Sequence, residues 1–241
     1  MSGRGGAAVV VSCEHGGNQI PPEYAHCFAS PTARRALAGH RGWDPGSEAA
    51  ARAFASALRA PLVVQRVSRL LVDCNRSLHH PRLFSEFSRV LGPEERNAVI
   101  ERFWRTHRER VHAAVDDAPT EALVVHVGIH AFTPVWKGRR RATEVGLLFD
   151  PRRPSEAELA RRWRGYMRSV RSRAIHLNRP YRGWTDGLTT TLRSVLPPDR
   201  YLGVELELSH ALTAPHAGAV EAGLWAADGL RRALADLVPG D

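Results

Sequence analysis

Short, unbroken runs of apolar residues recur along the chain and are separated by longer stretches with helical periodicity. Runs without alternation are typical of strands that are buried on both faces of a sheet. The pattern predicts five strands, at residues 7–12, 61–67, 122–129, 143–149 and 202–208. Residues 68–74 either alternate between polar and apolar positions or continue the second strand.

The intervening stretches predict helices that are long enough to cross over between strands. They cover residues 44–59, 93–115, 155–176 and 214–237. Asp44 is a good N-cap before Pro45, and Ser155 with Glu158 forms a capping-box pattern. The alternation of strands and helices predicts an α/β protein, a three-layer sandwich with a mixed central sheet. No repeat or linker interrupts the chain, so one domain over residues 1–241 is expected.

The charge balance suggests nucleic-acid binding, but its distribution does not. The 241 residues include 34 Lys and Arg against 25 Asp and Glu, a formal net charge of +9. Clustered cations would bind phosphates by releasing counterions. However, Lys137 is the only lysine, and the scattered arginines have their longest run at residues 139–141. This is typical of a coding bias, so nucleic acid is not expected as a partner.

Cysteine usage and hydropathy indicate the cellular compartment. Cys13, Cys27 and Cys74 are widely spaced and odd in number, which suits free thiols in a reducing compartment. The apolar run at residues 7–11 is too short for a signal sequence. No stretch approaches the roughly 18–20 apolar residues of a membrane span. A cytoplasmic protein without a membrane partner is expected, and the number of subunits stays open.

Polar residues at strand ends carry the candidate chemistry. His15 follows the first strand, Asp44 stands at the start of a helix, and His130 follows the third strand. Two imidazoles and one carboxylate form the ligand set of a catalytic zinc ion. With 12 histidines in the chain, chance placement is an alternative, and Asp44 before a proline is commonly only an N-cap.

Glu205 and Glu207 lie two residues apart on the fifth strand, so both project from one face. Two carboxylates among Val and Leu are costly unless they are solvated, paired or bound to a metal. One of them is therefore a candidate general base, and an edge strand with a polar outer face is the alternative.

Residues 68–76 (SRLLVDCNR) hold the candidate anion-binding side chains. Arg69 and Arg76 offer planar guanidinium groups that suit a carboxylate, and Asn75 supplies a neutral donor. The simplest structural expectation for Arg69 is an ion pair with Asp73.

Together these segments make the sequence resemble the N-formylglutamate amidohydrolase family. Each block alone is a weak signal, but their order over almost the whole chain is specific. The matching blocks are residues 12–18 (SCEHGGN), 42–46 (GWDPG), 68–76 (SRLLVDCNR), 126–134 (HVGIHAFTP), 143–150 (TEVGLLFD), 178–187 (NRPYRGWTDG) and 203–210 (GVELELSH).

The resemblance implies a phosphorylase/hydrolase-like fold, similar to zinc carboxypeptidases and N-acetylmuramoyl amidases. It implies one Zn²⁺ per chain, or another divalent metal, held by His15, Asp44 and His130. The family's glutamate falls on Glu207, with Glu205 as the alternative. The carboxylate-binding positions fall on Arg76 and Asn75, helped by Arg69 or Arg141.

Two further side chains compete for these roles. His126 lies four residues before His130 on an extended segment and is an alternative ligand. Glu14 is a ligand or, as favoured here, a hydrogen-bonding partner of His15. The implied reaction is hydrolysis of a small anionic N-acyl amino acid, N-formyl-L-glutamate foremost, to formate and L-glutamate. A related amidase or deformylase with another acylated substrate is the alternative.

Overall fold

A six-stranded sheet forms the centre of the molecule in the computed structural model, which describes residues 5–214 and 216–237. The strands follow the order β2-β1-β3-β8-β6-β7, and β6 and β7 run opposite to the other four. Their bounds are β1 Gly5–Cys13, β2 Leu62–Val64, β3 Ala122–Phe132, β6 Val145–Leu148, β7 Ile175–Leu177 and β8 Tyr201–Ser209. The short strands β4 (Val135–Trp136) and β5 (Arg139–Arg140) form a separate hairpin.

Helices cover both faces of this sheet. Within the described ranges they are α1 Pro31–Ala38, α2 Ser47–Leu58, α3 Pro93–Val99, α4 Thr106–Asp116, α5 Pro154–Val170, α6 Leu188–Val195, α7 His210–Thr213 and α8 His216–Leu237. Helices α2, α5 and α8 pack on one face, and α4 and α6 on the other. The predicted three-layer α/β sandwich with a mixed sheet is therefore confirmed.

Burial on both faces explains why the strands read as continuous apolar runs. Val125 and Val127 of β3 pack in the core beneath α2 and α8, whereas Val124 packs beneath α4 and α6. A separate apolar cluster from the long connections, centred on Leu71 and Phe28, lies apart from the sheet.

Several predicted element bounds were wrong. Residues 68–74 are turns rather than strand, because the backbone carbonyls of Ser68 and Asp73 accept hydrogen bonds from amides three residues further on. The helix predicted to His176 ends at Val170, and a sixth central strand, β7, follows it. Ser155 lies inside α5 and does not cap it. The helix predicted from residue 93 continues to Asp116, with a π-helical turn at Ile100–Arg105.

Asp44 does not cap α2. The helix begins at Ser47, with Gly46 before it in the left-handed region at φ 84°. A side chain at Gly46 would also collide with Thr213, so glycine is required there. The carboxylate of Asp44 is thereby left free to point toward the carboxyl ends of β1, β3 and β8.

Candidate metal centre and substrate cleft

Three side chains converge at the carboxyl ends of the central parallel strands. His15 follows β1, His130 lies near the end of β3, and Asp44 lies in the loop before α2. The Nδ1 atoms of the two histidines are 3.2 Å apart. Asp44 Oδ2 lies 3.3 Å from His130 Nδ1 and 3.5 Å from His15 Nδ1. All three side chains are buried and together form a possible metal site.

The spacing of these atoms suits a small divalent metal. Metal–nitrogen bonds of about 2.0–2.1 Å with tetrahedral angles place neighbouring ligand atoms about 3.3 Å apart. The three observed separations, 3.2, 3.3 and 3.5 Å, lie close to that value. Two imidazoles and a carboxylate also match the donor types that zinc takes in hydrolases. The residues therefore fit a zinc-type ion.

A carboxylate contacts the Nε2 atom of each imidazole, on the side of the ring that faces away from the centre. Asp73 Oδ1 lies 2.7 Å from His15 Nε2, and Glu14 Oε2 lies 3.1 Å from His130 Nε2. Such contacts fix the ring and leave Nδ1 aimed at the centre. Glu14 therefore serves His130, not His15 as predicted, and it also contacts His107 at 3.4 Å.

The ionisation of these groups follows from the same contacts. Burial alone would raise the pKa of Asp73 and Glu14, but the neighbouring histidines lower both below their usual range. Burial opposes the charge of His130, whereas hydrogen bonds with Asp44 and Glu14 raise its pKa well above its usual range. The carboxylates of Asp44, Asp73 and Glu14 are therefore ionised around the two imidazoles, which favours a bound cation in place of a proton.

Asp44 is held by groups on both sides of the centre. Its Oδ2 accepts a hydrogen bond of 3.2 Å from the backbone amide of Ala131, and its Oδ1 pairs with Arg69. The predicted Arg69–Asp73 ion pair is therefore wrong, because the turns at residues 68–74 direct Arg69 toward Asp44. Asp73 pairs with His15 instead, with Arg76 Nε 3.8 Å away.

Glu207 is the carboxylate beside the centre. It pairs in register with His130 across β3 and β8, and it is buried. Its Oε2 atom has no hydrogen-bond partner among the residues described. Burial raises the pKa of Glu207 to about 8, an effect that His130 opposes and Asp44 and Glu205 reinforce.

Glu205 and His126 occupy different surroundings. Glu205 projects into the same cleft as Glu207, as the spacing predicts, and its Oε1 accepts a hydrogen bond from Thr189 at 3.2 Å. His126 is fully buried between Ser12, 2.8 Å from its Nε2, and Tyr201, 2.7 Å from its Nδ1. Burial lowers the pKa of His126 to about 4. His126 is therefore part of the core, and His130 is the histidine at the centre.

The centre opens into a cleft of about 1130 Å³. Arg69, Arg76, Arg141 and Asn75 all line it, as do both strand glutamates. Arg76 donates to the backbone carbonyl of Asp186 at 3.0 Å. Asn75 Oδ1 accepts from the amide of Leu188 at 2.7 Å, which places its Nδ2 3.4 Å from His130 Nε2. The sequence-predicted residues are thus brought to one cavity.

Sequence reasoning missed three residues of this cavity. Asp73 was assigned to Arg69, and Tyr181 and His210 were given no role although both lie in matching blocks. In the described ranges, four buried side-chain atoms lack a hydrogen-bond partner: Trp43 Nε1, Arg69 Nε, Glu207 Oε2 and His210 Nε2. The last three belong to residues that line the cleft, so these atoms can form hydrogen bonds with a molecule bound there.

The fold and site define an α/β protein with a candidate metal centre at the carboxyl ends of parallel strands. The family model of the N-formylglutamate amidohydrolases matches residues 7–214. The chain belongs to this family. It is an amidohydrolase by that membership, as the sequence blocks predict.

A solved structure shares the fold of this chain. The crystal structure of gene product Atu2144 from Agrobacterium tumefaciens is similar, with a TM-score of 0.81 and 31% identity over 95% of this chain and 90% of the other. A metallo-carboxypeptidase from Burkholderia cenocepacia has a TM-score of 0.35 and 11% identity over 93% of this chain and 56% of that one. No curated protein sequence matches significantly. Within the described residues, no helix is long and apolar enough to cross a membrane.

Proposed function

We propose that the protein is a metal-dependent amidohydrolase that cleaves the amide of an N-acyl amino acid, foremost N-formyl-L-glutamate to formate and L-glutamate. The observation that carries the proposal is the convergence of three ligand atoms beside a buried, unpartnered Glu207. The three free cysteines of the described ranges support a reducing, cytoplasmic setting.

His15, Asp44 and His130 are the proposed ligands, with Asp73 and Glu14 holding the two imidazoles in place. One zinc ion per chain would polarise the amide carbonyl and activate a water molecule at this centre. The pairing of Asp44 with Arg69 and the amide of Ala131 keeps its carboxylate oriented toward the two histidines.

Glu207 is the proposed general base. It would take a proton from the attacking water while the new C–O bond forms, and give a proton to the leaving nitrogen as the C–N bond breaks. Burial raises the pKa of Glu207 to about 8 in the metal-free chain, which makes its carboxylate a strong base, and a cation bound beside it would lower that pKa and leave the carboxylate ionised to accept the proton. Glu205 is the alternative base, and its hydrogen bond with Thr189 argues for a positioning role.

Arg76 and Asn75 are proposed to bind the substrate carboxylate, with Arg69 beside the reacting carbonyl. The free Nε–H of Arg69 is buried and lacks a partner among the described residues, so it can donate to oxygen charge that develops during the reaction. A related amidase on another acylated amine or peptide fits the same centre. Nucleic-acid binding would leave these convergent side chains without a purpose.

A metal-replete activity screen tests the proposal. Purified protein is assayed with N-formyl-L-glutamate and with other N-formyl and N-acetyl amino acids, before and after chelation. We expect one tightly bound metal per chain, formate release that chelation abolishes, and recovery when zinc is added. His15→Ala and His130→Ala should each lose metal and activity. A lack of stoichiometric metal, or full activity in both variants, would contradict the metal centre.

The base is tested by Glu207→Gln, with Glu205→Gln as the matched control. The first variant should lose turnover by roughly two to four orders of magnitude and keep its metal, because a positioned base contributes about that much. Metal content and steady-state rates are measured on the same samples. A loss confined to Glu205→Gln would reassign the base.

A further inference from the structure

Three aromatic rings surround the guanidinium group of Arg141 at the mouth of the cleft. Its Cζ atom lies 5.3 Å from the ring centre of Phe132, 5.4 Å from that of Trp136 and 5.2 Å from that of Tyr181. These distances are within the range of cation–π attraction. We call these three rings the aromatic cage.

The cage is built from separate elements, which fixes its shape. Phe132 ends β3, two residues beyond His130 and on the same face. Trp136 lies on the β4–β5 hairpin, whose turn at Lys137 and Gly138 has positive φ at both positions, as tight hairpins require. The backbone amide of Arg141 donates to Pro134 at 2.8 Å and closes the base of this hairpin.

Two hydrogen bonds fix the orientation of the guanidinium within the cage. The Nη1 atom of Arg141 donates to the Tyr181 hydroxyl at 3.2 Å and to the backbone carbonyl of Thr133 at 3.3 Å. Both involve one terminal nitrogen. The other nitrogens of the guanidinium have no partner among the described residues, so a planar donor pair is left for a ligand.

Arg141 also differs from the other two predicted arginines in its charge balance. Arg69 pairs with Asp44, and Arg76 lies 3.8 Å from Asp73. In residues 5–214 and 216–237, Arg141 forms no ion pair, and its neighbours are aromatic rings and neutral oxygens. Aromatic faces hold a cation in place without neutralising it, so its full charge remains available to an anion.

We propose that Arg141, positioned by the aromatic cage, is the specificity-determining residue that binds the side-chain carboxylate of the substrate. This inference rests on the proposed function, in which Arg76 binds the α-carboxylate. The two arginines line the cleft from different segments, Arg76 from the turns that follow residue 68 and Arg141 from the end of the β4–β5 hairpin, and the proposal assigns them separate carboxylates. The enzyme therefore selects N-acyl amino acids that carry an acidic side chain over those with an isosteric neutral amide.

Kinetics with a matched substrate pair test this assignment. N-formyl-L-glutamate and N-formyl-L-glutamine differ only in the side-chain charge. Arg141→Met should raise KM for the first about 10- to 100-fold, the value of a charged hydrogen-bonded pair, with little change in kcat or in KM for the second. Arg141→Lys should recover part of the loss. Tyr181→Phe, which removes one positioning hydrogen bond, should raise the same KM by less.

Two further variants act as controls. Arg140→Met removes a charge from the same hairpin. Arg140 is exposed and pairs with Val135, on the hairpin face opposite to that of Trp136. The KM for N-formyl-L-glutamate should therefore not change. Arg76→Met should weaken both substrates alike, since both keep the α-carboxylate. A variant of Arg141 that affects both substrates equally would overturn the assignment.

Direct binding separates this inference from the proposed reaction. Calorimetric titration of the purified protein with L-glutamate and L-glutamine needs no turnover. We expect at least a 10-fold preference for L-glutamate, lost in Arg141→Met and kept in Arg140→Met. This result supports the inference even if no N-acyl amino acid is hydrolysed. A lack of hydrolysis would overturn only the proposed function. A wild-type chain without the preference, or an Arg141→Met chain that retains it, would overturn the inference.

Discussion

Asp73 illustrates how a residue that is not itself a proposed ligand prepares the centre. Its Oδ1 lies 2.7 Å from His15 Nε2 and also accepts a hydrogen bond of 3.0 Å from the amide of Asn75. The second contact fixes the carboxylate, so the carboxylate can fix the imidazole. His15 is thus held in one orientation before any ligand binds.

Asp73→Asn should weaken metal binding by about 10- to 100-fold, because the amide orients the imidazole but supplies no charge to it. Competition with a chromogenic chelator measures the affinity. Asp186→Asn is a suitable control, since Asp186 contacts Arg76 and Ser77 but neither histidine. Equal affinity in Asp73→Asn and the unmodified chain would show that the 2.7 Å contact is dispensable.

Individual partners were the part of the site least accessible to sequence reasoning. The convergence of His15, Asp44 and His130 was predictable because polar residues at strand ends and family blocks mark them. The pairing of Arg69 with Asp44 instead of Asp73 was not, because it joins side chains 25 positions apart in the sequence. Local spacing favours neighbours, whereas the turns at residues 68–74 bring distant groups together.

At the scale of elements, the crossing of α2 and α8 depends on one glycine. A Cβ atom at Gly223 of α8 would lie 2.3 Å from the backbone carbonyl of Ala50 in α2. The helices therefore approach so closely that backbone meets backbone. Such a contact cannot be relieved by a change of rotamer.

Gly223→Ala should lower the free energy of unfolding by about 1–3 kcal/mol, the usual cost of overpacking. Gly165→Ala is the matched control, because a Cβ atom at Gly165 of α5 would meet no other atom within 4 Å. That variant should gain about 0.5–1 kcal/mol from helix propensity. Chemical denaturation of both variants measures the difference, and a stable Gly223→Ala chain would show that α8 can shift.

Elements with many buried residues were predictable, and small ones were not. The runs that became β1, β3 and β8 are apolar because helices cover both sheet faces. The three residues of β7 carry too little pattern to be separated from the helix before them. The β4–β5 hairpin was missed for a related reason. Its two-residue strands are exposed at every position, so their sequence shows no alternation of apolar and polar residues.

At the scale of the whole molecule, much of the arginine charge is paired within the protein. Arg193 forms a buried pair with Glu156, and Arg66 and Arg52 both pair with Glu48. Such pairs neutralise part of the arginine charge locally, and the unpaired excess makes up the net charge of +9. The expectation that nucleic acid is not a partner stays a prediction that a salt-dependent binding assay can address.

The stability of the metal-free chain should depend on pH through Glu207. Its pKa is raised from 4.5 to about 8 in the folded state, so its contribution is fully present below pH 4.5. Between pH 4.5 and about pH 8 the unfolded chain loses this proton while the folded chain retains it, so the free energy of unfolding falls as the pH rises. Glu207→Gln cannot ionise and should escape this loss.

Thermal unfolding in the presence of a chelator measures this effect. The melting temperature of Glu207→Gln should rise relative to the unmodified chain between about pH 5 and pH 8 and then level off. Glu205→Gln serves as the control on the same strand. Parallel melting curves for all three proteins across this range would contradict the raised pKa of Glu207.

Strand β3 carries both His130 and Phe132, and this has a consequence for substrate length. Two residues along a strand span about 6.6 Å, and the neighbouring strand β8, which pairs with β3 as far as Phe132, prevents that span from changing. Strand β3 therefore keeps the candidate metal centre and the aromatic cage at a fixed separation. A substrate whose acidic side chain is one methylene shorter or longer has to fit the same separation.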